Sequence, residues 1–146
     1  MKIVVDTNVV MSGLIKDSTT RRILALKNID FFSPDFVVNE INKYRDYIIQ
    51  KSQMSENDFD LLFALVMDSI VTVSEDEYSK FLEQYVSLIS DIDDVPFLAL
   101  CIALKADGIW TEPFSYSRNI FDVICPWILE LLFLAYIVWF FCTSHV

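Results

Sequence analysis

The chain has 146 residues, enough for one compact domain with a real core and too few for two of ordinary size. Its 21 acidic and 11 basic residues leave a formal net charge of -10, which excludes nucleic-acid binding through bulk positive charge, so any such role has to run through bound cations or a local patch. Three widely spaced cysteines in apolar surroundings (Cys101, Cys125, Cys142) argue against a disulfide framework or zinc site and for a reducing, cytoplasmic setting, and a single histidine, His145, excludes imidazole-based triads.

Met1 and Lys2 lead into only three apolar residues before Asp6, so no secretory signal is expected there. Ile3-Val4-Val5 is a continuous β-branched run ending at Asp6-Thr7-Asn8, the pattern of a short buried strand in a parallel sheet with Asp6 at its carboxyl end. A helix is predicted from about Ser18 to Asn28, then a strand over Ile29-Asp30-Phe31-Phe32. Ser33 as cap and Pro34 at the first helical position open a predicted long helix, whose buried stripe is Val37, Ile41, Tyr44 and Ile48. Ser55 to Asp68 reads as another helix with Ser55 and Asp58 as a capping pair, followed by a strand over Ile70-Val71-Thr72-Val73 and a helix from Ser74 to Ile89. The acidic run Asp91-Ile92-Asp93-Asp94 caps a helix through Leu104 that ends near Asp107-Gly108, and Ile109-Trp110-Thr111 is the last strand of this alternation. Strands separated by helical crossovers predict an α/β domain with a mostly parallel sheet and helices on both faces.

Such sheets gather ligands at the carboxyl ends of their strands, where Asp6 is predicted to lie, although a lone Asp there more often caps a helix or orders a turn. Glu40 falls three residues after Val37 and four before Tyr44, so it borders the apolar stripe; buried, it needs a partner or a metal, and at the edge it reaches water. Asp94 opens a helix, where backbone N–H groups favour the ionised form that a cation requires, and where plain capping is the ordinary role. If these three carboxylates converge from their separate elements, they form a site for Mg²⁺ or Mn²⁺, and a bound cation would invert the local field enough to admit a polyanion.

Ile3-Val4-Val5-Asp6-Thr7-Asn8 resembles the opening motif of PIN domains. Ser33-Pro34-Asp35-Phe36-Val37-Val38-Asn39-Glu40-Ile41 looks like the segment of that family's second acid, and the run from Asp91 to Leu100, followed by Ala106-Asp107-Gly108-Ile109-Trp110-Thr111, is similar to the segment of its third. The matches occur in the family's order over residues 1 to about 112. This resemblance, to PIN-domain ribonucleases of the VapC toxin type, implies a PIN-like three-layer fold and metal-binding, catalytic roles for Asp6, Glu40 and Asp94. Thr7 or Asn8 would support the first-strand site, with Asp91 and Asp93 as neighbours. It further implies an Mg²⁺- or Mn²⁺-dependent endoribonuclease that hydrolyses RNA phosphodiester bonds, the toxin of a toxin–antitoxin pair, with an antitoxin protein as partner and a homodimeric assembly.

The pattern departs at Thr111-Glu112-Pro113-Phe114, where Pro113 stands at the family's usual fourth acid, leaving Glu112 or Asp122 as substitutes. A PIN-like part over 1–112 is thus expected to be followed by an atypical hydrophobic segment over 113–146. Residues 123 to 142 carry Glu130 as their only charge. Trp127 to Cys142 would extend only about 24 Å as a helix, short of the roughly 30 Å bilayer core. Pro126 and Glu130 count against a span that starts earlier. The tail thus reads as a marginal membrane helix, a buried helix of the domain or dimer core, or the product of an altered reading frame after Glu112. An alternative function is a catalytically weakened PIN-like protein acting as a membrane-anchored or antitoxin-binding module. The abrupt change from family-like to unfamiliar sequence points to the altered frame. Reading the adjacent frames of the coding DNA should then restore an acidic residue and a polar final helix, and that reading falls if no frame does.

Overall fold

Val4 and Val5 are both fully buried, although successive side chains of a strand point to opposite faces, so layers must cover both faces of the strand they belong to. The computed structural model, which describes residues 1–15, 19–85 and 92–111, shows these layers. Strand β1 (Lys2–Val5) lies between β2 (Asp30–Pro34) and β4 (Gly108–Trp110), with β3 (Ile70–Val73) beyond β2. The order is β3-β2-β1-β4 and every pairing is parallel. Parallel neighbours require crossovers. Helices α1 (Thr7–Ile15) and α2 (Thr19–Leu24) join β1 to β2, and α3 (Phe36–Lys43), α4 (Arg45–Ser52) and α5 (Glu56–Asp68) join β2 to β3. A 3-10 turn at Glu75–Glu77, α6 (Ser79–Tyr85), a second turn at Ile92–Asp94 and α7 (Val95–Leu104) precede β4. Helix α1 packs on α2, α3, α4 and α5, while α7 lies on β1, β2 and β4 with α6 beside it. This is the sheet flanked by helices that the alternating pattern predicts.

The elements depart from the sequence-based expectation at places that matter for the site. A helix starts directly after Asp6, well ahead of the first helix expected from the sequence at about Ser18; Val9, Val10, Gly13 and Leu14 form its buried face. Gly13 faces α2, where an added Cβ would stand 3.4 Å from the Leu24 side chain, in van der Waals contact with it. Ser33 and Pro34 belong to β2 and not to a helix start, because they continue the ladder to Thr72 and Val73 of β3 and the Asp35 N–H donates to the Val73 carbonyl (3.0 Å). The predicted long helix is broken at Tyr44, whose φ of -97° and ψ of 8° leave the helical region. Val37, Ile41 and Ile48 are buried as the stripe requires, but Tyr44 is 49% exposed. The predicted helix from Ser74 begins instead as the 3-10 turn and continues as α6. By contrast, Ser55 and Asp58 form the predicted capping box of α5, each side chain meeting the other's backbone N–H. The apolar tail, Glu112, Asp122 and Asp91 lie outside the described residues, and among those described no helix is long and apolar enough to cross a membrane.

Pairing between β1 and β2 ends at Val4 with Phe32. One residue further the Ser33 hydroxyl, fully buried, donates to the Val5 carbonyl (3.0 Å) and so takes over where the backbone ladder stops. Ser33→Ala should lower the unfolding free energy by about 1 kcal/mol in urea denaturation. An unchanged midpoint would mean that this hydroxyl does not hold the end of β1.

Candidate active site

Asp6 follows the last residue of the central strand, and its environment is set by the elements on either side. Its N–H donates to the Trp110 carbonyl (3.2 Å), which extends the β1–β4 pairing by one residue and brings Thr111 alongside. The side chain is 4% exposed. Its Oδ1 accepts the Val9 N–H (2.8 Å), a cap-type bond to the first turn of α1, and its Oδ2 accepts the Thr111 hydroxyl. The ordinary capping role of an Asp at a strand end is therefore real here; the cap bond fixes the direction of Oδ1 and the Thr111 bond that of Oδ2. Each carboxylate oxygen has two lone pairs, so this bonding leaves acceptor capacity on both.

Burial pushes the Asp6 carboxyl above its usual value of 3.8, and the charge of Asp94 pushes in the same direction. The Thr111 hydroxyl and the backbone N–H groups of Val9 and Asn8 pull it back without cancelling the rise. Asp94 is therefore near enough for the two acids to repel. It occupies the N-cap position of α7 but makes no side-chain cap bond, so the ordinary reading of that residue is not the one realised.

Glu40 sits midway along α3, half-buried at the border of the apolar stripe, as its spacing predicts. One of its oxygens, Oε2, accepts the Thr7 hydroxyl. Neighbouring residues at the end of β1 thus serve two different acids: Asp6 is itself a carboxylate, and Thr7 orients another. The helices carrying Glu40 and Asp94 are joined by an edge-to-face contact between Phe36, one turn before Glu40, and Phe97, in the first turn of α7, with ring centroids 5.7 Å apart.

Asp6, Thr7, Asn8, Glu40, Asp93 and Asp94 all line one cleft of about 750 Å³ above the carboxyl ends of the strands. Tyr44 and Tyr47 line it too. Among the described residues no group of three His, Cys, Asp or Glu side chains is drawn together tightly enough to hold a metal ion. The donor chemistry is nonetheless that of a hard cation: carboxylates and hydroxyls, with no imidazole or thiolate lining the cleft among the described residues. Mg²⁺ is commonly held by one or two carboxylates, water and substrate phosphate, and needs no closed cage of three.

Thr111 and Ser33 as partners of the strand end, and the two tyrosines as cleft residues, are not among the residues that local sequence pattern singles out for these roles. For Thr111 a signal existed, since any parallel pairing of Ile3-Val4-Val5 with Gly108-Ile109-Trp110 sets Thr111 beside Asp6. For the tyrosines there was none, because the 3-4 spacing runs through Tyr44 without a break.

A family model described as PIN domain matches residues 4–115, well over half of the chain. No curated protein matches it.

A carboxyl whose folded value lies above its unfolded value stabilises the fold only while protonated. For Asp6 that contribution is complete below 3.8 and is lost as pH rises through the raised folded value. Asp6→Asn removes the charge and can keep both hydrogen bonds, its carbonyl accepting from Val9 and its amide donating to the Thr111 oxygen. In EDTA at pH 7 the variant should therefore unfold at higher urea than the parent protein. The gap should narrow as pH falls towards about 4. A variant less stable at pH 7, with a gap independent of pH, would contradict this account of Asp6.

Proposed function

The chain belongs to the PIN-domain family, whose members are typically nucleases, and from that premise we propose that it is a metal-dependent endoribonuclease that hydrolyses RNA phosphodiester bonds. The observation that carries the reading is the cleft itself: acids from the end of β1, the middle of α3 and the start of α7 line one concavity, and two of them repel each other across it. Repulsion between ionised carboxylates in a partly desolvated cleft raises the energy of the bare site, and a divalent cation relieves it.

In this reading Asp6, Glu40 and Asp94 hold Mg²⁺ or Mn²⁺. When bound, such an ion lowers the pKa of a coordinated water and neutralises charge on the phosphate. The protein's own contribution is orientation. Thr111 and the Val9 N–H fix the Asp6 carboxylate, and Thr7 fixes that of Glu40. Asp93, beside Asp94 and lining the same cleft, adds negative charge that favours cation over anion. A chain with a net charge of -10 would otherwise repel RNA, so metal binding has to precede or accompany substrate binding. The role as toxin of a toxin–antitoxin pair, the antitoxin partner and the homodimer rest on the resemblance of the three acidic segments to VapC-type proteins.

Asp6→Asn, Glu40→Gln and Asp94→Asn should each lower Mg²⁺- or Mn²⁺-dependent cleavage of single-stranded RNA by more than about 100-fold while leaving the protein folded. EDTA should abolish it. Equal cleavage by a protein with both Asp6 and Asp94 neutralised, or without divalent metal, would remove this mechanism.

A further inference from the structure

Resting on the nuclease reading, we infer that Tyr44 and Tyr47, with Lys51, form a seat for the unpaired bases of single-stranded RNA and lead the strand to the carboxylates. Three observations meet at this place. Both rings line the cleft that holds Asp6, Glu40 and Asp94. Both stand in solvent, Tyr44 at 49% and Tyr47 at 40% exposure. The ammonium of Lys51, one turn beyond Tyr47 on α4, lies 5.8 Å from the centre of the Tyr47 ring.

The exposure of Tyr44 is a product of the backbone. Continuous helix through the Val37, Ile41, Ile48 stripe would turn its ring into the core, and the break between α3 and α4 turns it out instead. Single exposed aromatics are common on protein surfaces. Two of them three residues apart, in a cleft lined by four acids and next to a cation, form a different arrangement. Aromatic faces take up any base by stacking, but only one that is free of a paired partner and splayed from its helix. Lys51 is placed to meet the phosphate flanking a base on Tyr47. Arg45, between the two tyrosines in sequence, is engaged elsewhere: it pairs with Asp60, lies 3.8 Å from Glu56 and packs over the Phe59 ring at 4.7 Å. With so much negative charge overall, affinity for RNA has to come more from stacking than from phosphate contacts.

The test is fluorescence anisotropy of a short labelled single-stranded RNA of mixed sequence, titrated with the full chain in a Ca²⁺ buffer. Tyr44→Ala and Tyr47→Ala should each weaken binding about tenfold. Tyr44→Phe and Tyr47→Phe, which keep the rings, should stay within about twofold of the parent. The same sequence as a duplex should bind about tenfold more weakly than the single strand, and Lys51→Gln should flatten the salt dependence by about 0.7 in the log–log slope. Alanine variants within about twofold of the parent, phenylalanine variants as weak as alanine, or equal binding of duplex and single strand would each overturn the seat. Cleavage assays on the same preparations separate this inference from the one beneath it. Metal-dependent cleavage with ring-independent binding removes the seat and leaves the nuclease, and ring-dependent binding without cleavage does the reverse.

Discussion

Asp6 sits where the central strand gives way to α1, 4% exposed, and almost every other feature of the site follows from holding a carboxylate there. Burying an acid costs free energy that three hydrogen-bond donors only partly offset, as its raised pKa records. The fold can sustain that cost because Val4, Val5, Val9 and Val10, immediately on either side, are fully buried, at roughly 1.5–3 kcal/mol for each such side chain. The apolar residues decide that β1 is central. The acid at its end lines the cleft.

The same segment stitches the site together. Thr111, at the end of β4, donates to Asp6; Thr7, the next residue along β1's exit, donates to Glu40 on α3. Ser33 closes the pairing of β1 with β2 at the level of Val5. Three hydroxyls thus connect five elements around the carboxylates, and the Phe36–Phe97 contact ties α3 to α7 across them. Hydroxyls suit this task, since they donate to an acid without neutralising it, whereas a lysine or arginine in their place would compete with a cation for the same oxygens.

Much of this was legible in local pattern. The β-branched run at Ile3 to Val5 announced a strand buried on both faces, the Ser55–Asp58 pair announced the start of α5, and the spacing of Glu40 announced an acid at the border of a core. What local pattern could not carry was anything set by long-range register. The Thr111–Asp6 bond joins residues 105 apart, and Ser33 reads as a helix cap until its ladder with β3 is known. Tyr44 escaped for a subtler reason: no glycine or proline marks the break, and the apolar spacing continues on its far side at Ile48. The cleft's acids were thus visible from sequence as candidates, while their orienting hydroxyls and its aromatic wall depended on the packed backbone.

The central claim is that Asp6, Glu40 and Asp94 act as one divalent-cation site, and Mn²⁺ binding followed by electron paramagnetic resonance tests it most directly, because only free Mn²⁺ gives the sharp six-line signal. The account predicts that the full chain depletes that signal at neutral pH and that Asp6→Asn, Glu40→Gln and Asp94→Asn each largely restore it. Depletion of the signal by all three variants to the same extent as by the parent protein would contradict it.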